Sequence, residues 1–125
     1  MAYGDRAMMQ HRRFDDLDAA MSEAGIDELS GALFDLGVSS HQFDEDTRGF
    51  SIRTDAMLDM RMNQKSSLTA KQIVNQYTEE KLITVFREYG EIINSKKIAV
   101  CICKYRVEKQ IETTTDLKDA LKSCY

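Results

Sequence analysis

The sequence predicts an α/β chain: about two strands of a parallel sheet with a helix packed on them, then a mostly helical domain. Three observations carry this expectation. Ala32, Leu33, Phe34, Leu36 and Val38 form a near-continuous apolar run broken only by Asp35, the pattern of a strand covered on both faces. A helical stretch precedes that run, and a helix leading into a buried strand is half of a βαβ unit. From Thr69 onward apolar residues recur at helical spacing, and none of the 125 residues is a proline that would interrupt them.

The elements follow in order. Ala7 to Gln10 is a candidate short strand. From Arg12 a helix is expected, because Phe14, Leu17 and Met21 share one face while Asp15, Asp16 and Asp18 sit in its first turns. Gly25 is its stop signal. Gly31 to Val38 is the buried strand, ended by Gly37. Ser39 to Ser67 has no sustained periodicity but keeps Phe43, Phe50, Ile52, Leu58 and several methionines, so it reads as a long packed loop. Thr69-Ala-Lys-Gln72 has capping-box spacing. Thr78 caps the next helix, with Glu79 and Glu80 in its first turn, Leu82, Ile83, Val85, Phe86 and Tyr89 along its apolar face and Gly90 at its end. Ile92 to Lys109 is the third helix of this part, with Ile98, Ile102 and Tyr105 on one side. Thr114 or Thr115 caps the last, which turns Leu117, Ala120 and Leu121 inward.

Apolar residues make up 42% and charged residues 30%, a folded rather than disordered composition. The net charge of −4 excludes a generic polycation that holds nucleic acid by charge alone. The charge is divided: residues 1–60 carry 5 basic and 13 acidic side chains, residues 61–125 carry 12 and 8. Such a split suggests two parts with different roles. No apolar run approaches the ~20 residues of a membrane span, and Met1 to Gln10 lacks a signal-peptide core. Cys101, Cys103 and Cys124 are an odd number without zinc-ligand spacing, which predicts free thiols in a reducing cytoplasm.

An acid inside an apolar strand is costly to bury unpaired, so Asp35 is expected at the strand's carboxyl end, where open α/β sheets bind ligands. The bland alternative is a cap on the following turn. His11 and His41 have no partner at metal-ligand spacing, so no metal site is expected. Arg48, Arg53 and Arg61 can hold phosphates, or pair with Asp44, Asp46, Asp55 and Asp59 in a structural network, which is the favoured reading. Lys96, Lys97, Lys104, Arg106 and Lys109 form a basic helix face, usually just solvated, that gains meaning only beside independent evidence of a polyanionic substrate.

Three strings say more. Asp35-Leu-Gly-Val-Ser-Ser40, Arg48-Gly-Phe-Ser51 and Leu58-Asp-Met-Arg-Met62 occur in this order. Together they resemble the S-adenosylmethionine-dependent cytosine-N4 methyltransferases of small-subunit ribosomal RNA, the MraW or RsmH family. Tyr3-Gly-Asp-Arg6, His11-Arg-Arg-Phe14, Tyr89-Gly-Glu91, Lys97-Ile-Ala99 and Thr113-Thr-Thr115 agree. The resemblance covers essentially the whole chain. It departs at His41, Asn63 and Val100, where the family has Pro, Asp and Arg.

The resemblance implies a Rossmann-like methyltransferase sheet with a helical domain inserted after its fourth strand. Residues 1–45 are then a partial α/β core, and residues 46–125 a loop and an incomplete helical insert. It implies that the chain starts just before the third strand, that Gly-rich and ribose-binding elements lie upstream, and that the chain alone is inactive. It carries cofactor contacts onto Phe14, Asp35 and Gln42, leaves the catalytic residues unknown, and offers Phe43 or Phe50 as an aromatic clamp. The implied cofactor is S-adenosylmethionine, the partner small-subunit ribosomal RNA or the small subunit itself, and the location the cytoplasm, with no membrane. The rival reading is a non-catalytic RNA- or ribosome-binding helical module that carries a vestigial methyltransferase half.

Overall fold

The computed structural model describes residues 6–122 and 124. Among these lie six α-helices: α1 (Leu17–Ala24), α2 (Ser40–Asp44), α3 (Ala70–Gln76), α4 (Glu79–Glu88), α5 (Ser95–Glu108) and α6 (Thr114–Lys122). Short 3-10 turns at Phe14–Asp16 and Asp46–Arg48 precede α1 and follow α2. The chain divides into two compact units, Met1–Leu36 and Gly37–Tyr125.

The first unit holds α1. Its end is set by Gly25, whose φ of 66° suits a residue without a Cβ. The Gly25 N–H bonds the Ser22 carbonyl at 3.2 Å and the Ile26 N–H bonds the Met21 carbonyl at 2.9 Å, the paired bonds of a Schellman stop. Arg12 pairs with Glu23, and Arg13 grips Asp15 at 2.6 and 2.8 Å.

The predicted sheet is absent. Neither Ala7–Gln10 nor Gly31–Val38 is a strand, and the β-pairing among the described residues is one isolated antiparallel bridge, Met57 with Thr113. The α/β expectation is therefore corrected: the described chain is helical. Leu33 is 96% exposed, and Phe34, Leu36 and Val38 are exposed too. The physical reason is that a strand exists through its ladder and through cover on its faces. An apolar run states a preference for burial but does not supply the neighbour.

The second unit has the core. Leu58, Val74, Leu82, Ala99, Ile102, Ile111 and Ala120 form one buried cluster. Helix α5 contributes Ala99 and Ile102 and packs against α3, α4 and α6. The helix starts follow the sequence chemistry. Thr69 and Gln72 close a reciprocal capping box on α3, with bonds of 3.2 and 2.8 Å. The Thr78 hydroxyl accepts from the Lys81 N–H at 3.3 Å. On α6 the cap is Thr113, one residue earlier than expected. Its hydroxyl accepts from the Asp116 N–H at 3.2 Å while Asp116 accepts from the N–H groups of Thr113 and Glu112 at 3.1 and 3.0 Å. Helix α5 begins at Ser95 rather than Ile92, because residues 93–94 form a turn closed by the Ser95 N–H on the Ile92 carbonyl at 3.2 Å.

In the long loop Ser51, Ala56 and Leu58 are buried, while Ile52, Met57, Met60 and Met62, whose apolar character predicts packing, are exposed. It contains one helix the periodicity missed, α2, opened by a Ser39–Gln42 capping box. The three-free-thiol expectation is also corrected. Cys101 and Cys124 are disulfide-bonded across a Cα separation of 6.4 Å, and Cys103 alone is free.

Two outcomes follow from this packing. Ile102→Ala should cost about 2–5 kcal/mol by opening a core cavity, whereas Leu33→Ala should stay within about 0.5 kcal/mol, both read from urea unfolding. Asp116, held by the Lys109 ammonium and the backbone N–H groups at the start of α6, has its carboxyl lowered to about 2. A lowered folded value stabilises above the ordinary carboxylate range and is lost as pH falls through the folded value. Acid titration should therefore weaken the fold between about pH 4 and 2. Asp116→Ala should remove this residue's share of that dependence and cost about 1–2 kcal/mol at neutral pH.

Candidate nucleic-acid interface

Two of the strings singled out in the sequence, Arg48-Gly-Phe-Ser51 and Leu58-Asp-Met-Arg-Met62, meet in the second unit. The backbone of Met57 and Asp59 passes over Gly49, so a Cβ there would lie 2.3 Å from the Met57 carbonyl oxygen, and Gly49 has φ 71°. The Met60 N–H donates to the Arg48 carbonyl at 3.0 Å, with Met60 itself at φ 56°. The Arg48 guanidinium reaches the carbonyls of Arg61 and Met62 at 2.6 and 3.2 Å and lies 6.0 Å from the Phe50 ring. Arg61 forms a two-pronged pair with Asp59, both bonds 2.7 Å, and donates to the carbonyls of Gln64 and Ser66 at 3.0 and 2.7 Å. The Arg61 guanidinium holds the Asp59 carboxyl below the usual carboxylate range.

The threonine string ties this loop to α6. Thr114 Oγ1 donates to the Thr54 carbonyl at 3.0 Å and accepts from the Ala56 N–H at 3.1 Å. The Thr115 N–H donates to Asp55 at 3.0 Å, and Leu58 and Glu112 share a backbone bond of 2.9 Å. Arg61 thus pairs with Asp59, as the favoured reading has it, whereas Arg48 is structural through carbonyl oxygens and not through an acid. Arg53 is exposed on the same loop.

The five-residue basic face resolves into two groups. Arg106 donates to the Val74 carbonyl at 2.8 Å, and Lys109 pairs with Asp116 at 2.6 Å. These two hold α5 to α3 and α6. Lys96, Lys97 and Lys104 are exposed, and none pairs with an acid among the described residues. They line an open hollow of about 570 Å³ with Ile93, Asn94, Val100 and Cys101. The hollow lies at the start of α5, where Asn94 gives no side-chain cap, so the helix dipole adds to the lysine charge there. Three unpaired ammonium groups around a hollow can hold phosphate oxygens as point charges.

The residues expected at a cofactor are placed separately. Phe14 and Asp35 lie in the first unit and Gln42 in the second. Phe14 is 66% exposed in the 3-10 turn before α1, and Asp35 is exposed on the irregular stretch between α1 and α2. Gln42 is half-buried, its Oε1 taking the Ser39 N–H at 3.0 Å. Phe43 is exposed on α2 and Phe50 is half-buried beside Arg48. His41 lies 3.7 Å from Glu45. Among the described residues no three His, Cys, Asp or Glu side chains gather as a metal site, and no helix is long and apolar enough to cross a membrane. Sequence reasoning missed the role of Thr113 to Thr115 in fixing the loop.

Gly49→Ala should destabilise the second unit by about 1–3 kcal/mol from backbone conformation alone, and more from the blocked approach. Gly31→Ala, with nothing within 4 Å and no positive φ, should be neutral or stabilising by up to about 1 kcal/mol. Parallel urea curves check the contrast.

Residues 1–125 match the MraW methylase family. The chain is 45% identical over 120 residues to the ribosomal RNA small subunit methyltransferase H of Geobacter sp. (strain M21), covering 96% of this chain and 38% of that protein. It is 49% identical over 113 residues to the protein of the same name from Caldicellulosiruptor saccharolyticus, covering 90% and 37%. The Clostridium botulinum (strain Loch Maree / Type A3) protein is 46% identical over 112 residues, covering 90% and 36%. The chain spans a little over a third of the length of the curated relatives it matches.

Proposed function

The chain belongs to the MraW methylase family, and from that we propose that it is part of a methyltransferase acting on small-subunit ribosomal RNA in the cytoplasm. The reaction we assign is transfer of a methyl group from S-adenosylmethionine to the exocyclic N4 amine of a cytidine. The observation that carries the reading is the family match over the full 125 residues, joined by relatives at 45–49% identity that bear one name. Residues 1–45 are assigned to the cofactor-binding part and residues 46–125 to the helical insert.

The residues present suit this cofactor. The Phe14 ring is open to pack against a flat base. The Asp35 carboxylate is exposed and able to accept hydrogen bonds from hydroxyl or ammonium groups. Gln42 uses its Oε1 in the α2 cap and keeps its amide N–H₂ as a donor. S-adenosylmethionine supplies an electrophilic methyl group on a sulfonium. The chain's own part is to bind and orient, because a cytosine amine is a weak nucleophile that reacts only when placed in line. Lys96, Lys97 and Lys104 hold the RNA backbone, and the target base leaves its stack to reach the methyl group.

Binding by the full-length enzyme tests both halves at once. Asp35→Ala should weaken S-adenosylmethionine binding about 10- to 100-fold by calorimetry, the worth of a charged hydrogen bond, and Asp44→Ala should not. Lys97→Glu with Lys104→Glu should weaken ribosomal RNA binding and flatten its log–log salt slope by ~0.7–0.9 for each phosphate the lysines no longer neutralise, with cofactor affinity unchanged. Equal losses from Asp35 and Asp44 would reduce Asp35 to a surface acid, and an unchanged salt slope would return the lysines to solvated surface.

A further inference from the structure

The disulfide stands on the wall between two hollows. Cys101 lines the lysine hollow of about 570 Å³, and Cys124 lines a second of about 480 Å³, the two sharing Ile93, Asn94 and Lys97. Cys101 is half-buried on α5, while Cys124, just past α6, is only 6% exposed, with its Sγ 3.6 Å from the Lys97 carbonyl oxygen. Their Cα separation of 6.4 Å lies within the span a disulfide bridges without backbone movement. Cys103 is two residues beyond Cys101 and packs against the core cluster, so it points away from the pair and cannot exchange with it.

The surroundings favour exchange. Lys97 precedes Cys101 by four residues and Lys104 follows it by three, so both ammonium groups share its face of α5. Cations beside a cysteine stabilise its thiolate and raise the local concentration of an anionic thiol. The α5–α6 contact does not rest on the bond, because Ala99, Ile102 and Ala120 are buried in the core independently of it.

We propose that Cys101 and Cys124 are a reversible thiol–disulfide switch, operated by a small anionic thiol of the glutathione class, that locks the end of α6 onto α5. In the opening direction the small thiolate attacks Cys101 Sγ. A mixed disulfide forms there, the Cys101–Cys124 bond breaks, and Cys124 leaves as a thiolate that takes a proton from solvent. A second small thiolate attacks the small-thiol sulfur of the mixed disulfide and releases the Cys101 thiolate, which is protonated in turn. Two small thiols are oxidised to their disulfide, and the protein disulfide is reduced by two electrons. Closure is the reverse, with the small disulfide as oxidant. This switch stands independently of the methyltransferase reading.

The test is a glutathione redox titration of the full chain, read by thiol alkylation with mass spectrometry and by thermal unfolding. Cys101 and Cys124 should titrate together as one two-electron couple at millimolar glutathione while Cys103 stays reduced. The oxidised chain should melt roughly 10 °C above the reduced one. Cys101→Ser and Cys124→Ser should each melt with the reduced wild type and lose all redox dependence. Reduced, alkylated wild type gives the same comparison with no substitution. Pairing that involves Cys103, melting that ignores the redox state, or a bond that millimolar glutathione leaves closed would each overturn the switch.

Discussion

Burial of the inner face of α5 is the constraint on which the second unit depends. Ala99 and Ile102 are fully buried, and α3, α4 and α6 all pack on this one helix. A small residue at 99 lets neighbouring backbone come close, and the branched chain at 102 fills the space between them. Because α5 must lie with that face inward, everything else along it is assigned. Arg106 reaches back to cap α3 through the Val74 carbonyl, Lys109 crosses to Asp116 at the start of α6, and Lys96, Lys97 and Lys104 are left facing water.

The loop is held in another way. It has few buried side chains, so its order comes from backbone groups paired with the α5–α6 connection and from two arginines turned onto carbonyl oxygens. Such bonds contribute only about 1 kcal/mol each, but leaving a buried backbone group unpaired costs more than making the bond gains. Asp55, Asp59 and Thr114 therefore act together, and the segment from Arg48 to Met62 behaves as a structured part of the helical unit.

Much of this was legible in the sequence, and the reason differs from element to element. The starts of α3 and α4 were readable because Thr69 with Gln72, and Thr78 with its following acids, are local chemistry that needs no partner elsewhere. The end of α1 was readable because Gly25 takes a left-handed conformation that few other residues accept. Leu33 to Val38 misled for the converse reason: pairing is a property of two segments, and one segment's composition records only half of it. Arg48 and Arg106 were ambiguous on the same grounds, since the carbonyls they reach, those of Arg61, Met62 and Val74, lie at separations that periodicity along one helix does not encode. The disulfide joins residues 23 apart in sequence and was invisible to spacing rules built for metal sites. For the cofactor residues, the strings around Phe14, Asp35 and Gln42 pointed to a family, while Phe14 and Asp35 fall in one unit and Gln42 in the other.

The exposed apolar stretch after Gly31 has a consequence for handling the protein in solution. Unpaired backbone flanked by Leu33, Phe34 and Leu36 is a template on which a second chain can add as a strand, and stacking of such segments is how cross-β aggregates begin. Asp35 sits in the middle of it. In any in-register stack each copy would bring its carboxylate against the next, so the same acid that interrupts the apolar run acts as a gatekeeper against self-association. Colloidal stability of the chain should then depend on that single charge more than on the overall −4.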